Sequence, residues 1–194
     1  LSHFYRVLVI SVLEKLIASL EQCPIVKRGE YNYFIHPITD GVPQVDPALL
    51  RDVASAMVRA MDLDKVNLIV VAEAMGIHIG TTLSLMTDIP FTIVRKRWYG
   101  LPGEIAVHQT TGYSKGELYM NGVKKGDRVV IVDDVISTGG TMRALVGALN
   151  IAGAEIVDIC VAIQRGSPDI GRTYKALVRV EVSPSQVRIL DTYF

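Results

Sequence analysis

The chain has 194 residues, of which 49% are apolar and 21% charged, and its formal net charge is zero. That length suits one domain with its own core, and the apolar content excludes a disordered chain. The neutral balance argues against broad electrostatic capture of nucleic acid or of an anionic membrane, so neither is expected as a partner.

The chain opens on Leu1 rather than methionine, and residues 1–12 read as an upstream extension. Residues 7–12 are apolar but too short to span a bilayer. Val12, Leu13, Leu16, Ile17 and Leu20 recur at helical spacing and predict an amphipathic helix. Asp46-Pro47 is a helix start, with an N-cap acid before a first-position proline. Leu50, Val53, Ala54, Met57, Val58 and Met61 continue that helix.

Residues 66–72 (VNLIVVA) form a nearly continuous apolar run, as a buried parallel strand requires. A helix follows over residues 76–87, then a second strand over 89–95. Residues 96–127 are a long glycine-bearing insertion, with strand-like alternation at 105–109 and 117–120. An insertion of that length in a compact domain predicts a functional loop, here a flexible lid built on a hairpin. A third strand covers 129–133, a helix 142–151 ending at Gly153, a fourth strand 156–163 and a fifth 177–182. Strands alternating with helices predict a single α/β domain over 1–194, an open parallel sheet of about five strands flanked by helices. Ligands of such sheets bind beyond the carboxyl ends of the strands.

Cys23 and Cys160 lie far apart and share no metal-ligand spacing, and the four histidines are scattered. No metal site of the protein's own is expected, nor an oxidising compartment; a cytoplasmic location is.

Residues 129–141, VVIVDDVISTGGT, carry the chemistry. An apolar strand delivers two adjacent carboxylates, Asp133 and Asp134, which can accept hydrogen bonds from vicinal hydroxyls. Thr138, Gly139, Gly140 and Thr141 then enter a helix, whose first amides can hold a phosphate. A ribose 5-phosphate satisfies both halves. The loop is neither of the two common nucleotide loops, since no lysine follows the glycines and G-x-G-x-x-G is missing. A plain strand-to-helix turn would explain one acid and one hydroxyl, and would leave the second acid, Thr141 and both glycines without a reason.

This stretch resembles the signature of the type I phosphoribosyltransferases. Residues 72–77 (AEAMGI) sit where that family has its pyrophosphate loop. Arg95-Lys96-Arg97, Leu101-Pro102-Gly103, Tyr113 and Gly116-Glu117-Leu118 look like the flexible loop of its purine branch. With PIVKRGEYNYFIHPITDG included, the sequence is most similar to the archaeal hypoxanthine/guanine phosphoribosyltransferases, with an adenine-type loop.

The resemblance implies the type I fold with a lid hairpin and a small hood. It implies Mg²⁺-dependent transfer of a phosphoribosyl group from 5-phosphoribosyl 1-diphosphate to a purine base in purine salvage, by a homodimer. By the same resemblance Asp133 and Asp134 grip the ribose and face the developing cation. Ser137, Thr138, Gly139, Gly140 and Thr141 hold the 5-phosphate. Ala74, Met75 and Gly76 offer amides to pyrophosphate, Lys96 and Arg97 neutralise it, and Tyr113 closes the lid. Ile136, residues 162–164 and a hood drawn from 33–40 and 189–191 would enclose the purine. Mg²⁺ would ride on the substrate. Glu73, Met75, and the pair Lys96 and Arg97 have structural readings of equal weight, as a helix cap, as core packing and as a solvated strand end respectively.

Two departures matter. Common hypoxanthine/guanine enzymes carry an acid where this chain has Ser137, and adenine enzymes carry a loop glutamate where it has Gly112. Glu104 is a candidate substitute, and the group handling the purine proton is unassigned. Hypoxanthine and guanine are the expected bases, with adenine the first alternative and xanthine a further one. A catalytically silent transcription regulator is the alternative from a different class, although no helix-turn-helix or basic cluster precedes the first core strand.

Overall fold

The computed structural model describes residues 13–110 and 115–194. In chain order the elements are α1 (Glu14–Gln22), β1 (Ile25–Arg28), β2 (Tyr31–Phe34), α2 (Pro37–Asp40), α3 (Pro47–Ala60), β3 (Leu68–Ala72), α4 (Gly76–Thr87), β4 (Phe91–Val94), β5 (Ile105–Thr110), β6 (Lys115–Met120), β7 (Arg128–Ile136), α5 (Gly140–Ala152), β8 (Glu155–Arg165), β9 (Lys175–Val182) and β10 (Val187–Thr192). The main sheet runs β10-β9-β8-β7-β3-β4. Its five predicted strands are mutually parallel, and β10 adds an antiparallel edge.

The central strands are apolar on both faces because both faces are covered. On one side Val71 and Val132 pack with Leu16 and Leu20 of α1, Val53 and Met57 of α3, and Ile79 and Leu83 of α4. On the other, Val70 and Ile131 pack with Leu145 and Leu149 of α5. The helix boundaries follow local chemistry. Asp46 Oδ1 accepts from the amides of Ala48 (2.8 Å) and Leu49 (2.9 Å) to start α3. Gly153, left-handed at φ 74°, ends α5.

Two expectations change. The third strand continues to Ile136, because Val135 and Ile136 pair with Ile163 and Gln164, so the acid pair lies within the strand and not at its end. The hairpin at the base of the lid is no loose flap. Leu118 and Met120 are buried in the α5-side core, and Arg95 bridges Tyr119 through two backbone hydrogen bonds. Tyr113 and residues 1–12 lie outside the described residues.

The antiparallel β1–β2 hairpin and α2 form the hood. A buried histidine ties it to α1. His36 Nδ1 accepts from the Ile38 amide (3.2 Å), so Nε2 carries the proton and donates to Ser19 Oγ (2.8 Å), which donates to the Leu16 carbonyl (2.9 Å). Burial lowers the His36 pKa from 6.5 to about 4, against the opposing pull of Asp40. The hood is therefore anchored by a neutral ring.

Candidate active site

The carboxyl ends of β3, β4 and β7 meet at a cavity of about 360 Å³. Its floor is Asp133 and Asp134. Val135, Ile136, Ser137, Thr138, Gly139, Gly140, Thr141 and Met142 form one wall, and Ala72, Glu73, Ala74, Met75 and Lys96 the other. Two helices begin here, α4 after Met75 and α5 after Gly139, and neither has a side-chain cap. Leading amides without caps, at the positive ends of two helix dipoles, give one cavity two places where an anion could be held.

Glycine has a reason at two positions of the site. Gly139 is left-handed (φ 75°), and a Cβ there would lie 2.9 Å from Ile170 Cγ2 and 3.0 Å from Arg143 Nη1. At Gly76 a Cβ would meet Asp133 Oδ1 at 3.2 Å. Gly76 thus clears room for the floor acid.

Asp133 and Asp134 are each only 8% exposed. Burial raises both pKa values, and the charge of Asp133 raises Asp134 further. The Asp134 amide donates to Asp133 Oδ1 (3.0 Å), but nothing cationic pairs with the two acids among the described residues. A ligand that brings hydroxyl donors and positive charge would be held strongly here. Across the cavity, Glu73 Oε2 accepts from Arg95 Nε (2.8 Å) and the Lys96 amide (3.2 Å), and these two bonds lower its pKa. They brace the loop after β3 against the root of the lid.

A second cavity, of about 220 Å³, opens under the hood. Tyr31, Tyr33, Phe34, Thr39, Asp40 and Arg165 line it together with Val135 and Ser137, which also line the first. The two cavities share a wall.

Residues 45–191 match the phosphoribosyl transferase domain family. The chain belongs to this family. It is 68% identical over 182 residues to the hypoxanthine/guanine phosphoribosyltransferase of Methanosphaerula palustris, covering 94% of this chain and 100% of that one. The enzyme of the same name from Methanocorpusculum labreanum is 59% identical over 94% of this chain and 100% of its own length. Among solved structures, the adenine phosphoribosyltransferase of Thermoanaerobacter pseudethanolicus superposes with a TM-score of 0.70 at 23% identity, over 86% of this chain and 99% of that one. The one from Rhodothermus marinus gives 0.64 at 28%, over 79% and 86%. The type I phosphoribosyltransferase fold expected from the motif is the fold of this chain.

In this phosphoribosyltransferase the cavity gathers Asp133, Asp134, Ile136, Ser137, Thr138, Gly139, Gly140, Thr141, Ala74, Met75 and Lys96. Gly76 stands behind Asp133 and off the lining. Arg97 is also off it, with its guanidinium 5.6 Å from the Tyr99 ring centroid. Glu104 is engaged elsewhere. It accepts from the amides of Tyr99 (3.1 Å) and Gly100 (3.0 Å) and from Asn121 Nδ2 (2.7 Å), holding the lid root together. Glu73 is a brace and caps no helix. The 189–191 segment is part of β10 and not of the hood, because it pairs with β9. Asp191 lines a separate cleft with Gln164 and Arg179. The expected hood segment 33–40 supplies Tyr33, Phe34, Thr39 and Asp40 to the second cavity, whereas Tyr31 and Arg165 were not expected there and carry no local sequence signal.

Proposed function

We propose that the protein transfers a 5-phosphoribosyl group from 5-phosphoribosyl 1-diphosphate to hypoxanthine or guanine, giving IMP or GMP and pyrophosphate in purine salvage. The observation that carries this reading is the convergence of two uncapped helix starts and a buried acid pair on one cavity, which shares a wall with a second. The name and 68% identity of the Methanosphaerula palustris relative support the base assignment.

In this reading Asp133 and Asp134 accept from the ribose hydroxyls and stabilise the positive charge that grows on the sugar as the C1–oxygen bond breaks. The amides at the start of α5 hold the 5-phosphate. Those of Ala74 and Met75, with the Lys96 ammonium, hold the diphosphate. The base enters the hood cavity, and the wall at Val135 and Ser137 orients it toward C1. The lid excludes water, whose attack would waste the activated sugar.

Among the described residues no group of three or more His, Cys, Asp or Glu could hold a metal. Two carboxylates in an oxygen-rich cavity fit a hard cation that keeps most of its ligands on the substrate. Mg²⁺ bound there would neutralise the leaving diphosphate. A homodimer is supported by exposed Leu85 (81%) on α4 and exposed Trp98 (68%) in the lid root, which are apolar surface suited to a partner. A cytoplasmic location is supported by Cys23 and Cys160, both free thiols.

The test is direct. Purified protein is incubated with Mg²⁺, 5-phosphoribosyl 1-diphosphate and each of hypoxanthine, guanine, xanthine and adenine, and mononucleotides are separated. IMP and GMP are expected to dominate. AMP alone would reassign the base, and no product from any base would refute the reading.

A further inference from the structure

The start of α5 carries a cation that its own helix disfavours. Arg143 is the fourth residue of α5, so its charge lies near the positive end of the helix dipole. The first turn has no acid to offset it, and no carboxylate pairs with Arg143 among the described residues. The side chain is exposed, yet it is tied down. Its Nη1 donates to the Asp169 carbonyl (2.6 Å), 26 residues along the chain in the loop between β8 and β9. That loop is shaped at the same residue, since the Gly171 amide donates to Asp169 Oδ1 (2.8 Å). Ile170, the residue between, is buried against Gly139. A Cβ on Gly139 would lie 2.9 Å from Ile170 Cγ2, 3.0 Å from Arg143 Nη1 and 3.2 Å from Pro168 Cβ. Arg143, Pro168 and Ile170 thus converge on one glycine. None of the three lines the larger cavity, so they support its turn from outside.

We infer that Arg143 is a positioning residue for the sugar phosphate: by clamping the 168–171 loop onto Gly139, it holds the amides of the turn in the geometry that the 5-phosphate needs. The inference rests on the proposed phosphoribosyl transfer and deepens it. Gly139 has no side chain of its own to fix its left-handed conformation, and glycine moves freely between both hands of backbone. The start of α5 has no side-chain cap to fix it either. The clamp supplies that restraint from a distant part of the chain. A cradle held in place before its ligand arrives binds more tightly than one the ligand must order. The other two parts of the substrate have supports of their own. Glu73, bonded to Arg95 and to the Lys96 amide, braces the diphosphate wall. The bond from Arg165 to the Asn32 carbonyl (2.7 Å) joins the end of β8 to the hood. Loosening the clamp should therefore be felt at the 5-phosphate alone.

Three variants test this. Arg143→Met keeps the apolar stem and removes the donor, Arg143→Lys keeps a charged donor, and Ile170→Ala trims the other half of the clamp while leaving every charge in place. The probes are ribose 5-phosphate and pyrophosphate as inhibitors, with hypoxanthine as the varied base. In Arg143→Met the inhibition constant of ribose 5-phosphate should rise roughly 3- to 10-fold, as for losing one hydrogen bond. KM for 5-phosphoribosyl 1-diphosphate should rise with it, while pyrophosphate inhibition and KM for hypoxanthine stay unchanged. Arg143→Lys should recover most of the loss, and Ile170→Ala should reproduce the same split. Ribose 5-phosphate bound equally well by Arg143→Met and wild type, or all three ligands weakened alike, would overturn the assignment. A split in Arg143→Met without one in Ile170→Ala would trace the effect to charge and overturn the clamp. A wild-type enzyme that makes no mononucleotide would instead overturn the reaction on which the inference rests.

Discussion

The two cavities that share Val135 and Ser137 are built in opposite ways. The larger is made by contiguous chain: one strand, one turn and the first residues of a helix supply most of its wall, and much of what it offers a ligand is backbone. The hood cavity is made by single side chains from β2, α2, β7 and the end of β8. Backbone cradles tolerate change in the rest of the chain and suit the constant part of a substrate. Side-chain cavities can be retuned one residue at a time and suit the variable part. The sugar phosphate and the base are those two parts.

The sharpest way to break this comparison is at the acid pair. Asp134→Asn should lower turnover by at least about 100-fold, a transition-state loss of about 3 kcal/mol. It should also raise the melting temperature. Burial and Asp133 raise the Asp134 pKa above its unfolded value, so the carboxyl favours folding fully only below that unfolded value, and the benefit is lost as pH rises through the folded one. At neutral pH an uncharged amide escapes that penalty. Unchanged turnover would remove Asp134 from the ribose grip.

The hood should show the opposite pH behaviour. The folded pKa of His36, about 4, lies below its unfolded 6.5, so its neutral form favours folding above 6.5. That contribution, about 3 kcal/mol, is lost as pH falls from 6.5 to 4. Denaturant melts across this window should slope downward toward acid, and His36→Asn should flatten the slope. An unchanged slope in the variant would place the acid sensitivity elsewhere.

Gly139→Ala should cost about 1–3 kcal/mol of stability, since it forces a left-handed alanine against Ile170. It should raise KM for 5-phosphoribosyl 1-diphosphate more than KM for the base. Equal effects on both would mean that the cavities are not separate. The smallest effect is expected at the brace. Its ion pair is partly exposed and worth about 0–1 kcal/mol, so Glu73→Gln should shift diphosphate affinity only a few-fold, read by pyrophosphate inhibition.

What the sequence made legible follows the same division. Asp133 to Thr141 could be read because strand, acids, glycines and helix start are consecutive, and each has a local physical reason. The parallel sheet was legible from its doubly buried apolar runs. The extension of β7 to Ile136 was not, because pairing with β8 decides it and polar Asp133 and Asp134 interrupt the apolar signal. Asp40 fell inside the expected hood segment 33–40, but its meeting with Arg165 was not legible, because 125 positions separate the two. Glu104 looked free in the sequence, and only the folded lid root reveals its three partners. Residues 189–191 read as hood in the sequence because no one-dimensional pattern distinguishes an edge strand from a loop that lines a pocket.

A crystal structure with GMP bound tests the division of labour most directly. The 5-phosphate is expected on the amides of residues 138–141, the ribose hydroxyls on Asp133 and Asp134, and the guanine beneath the hood. A nucleotide bound with its phosphate away from the start of α5, or with its base outside the hood cavity, would contradict it.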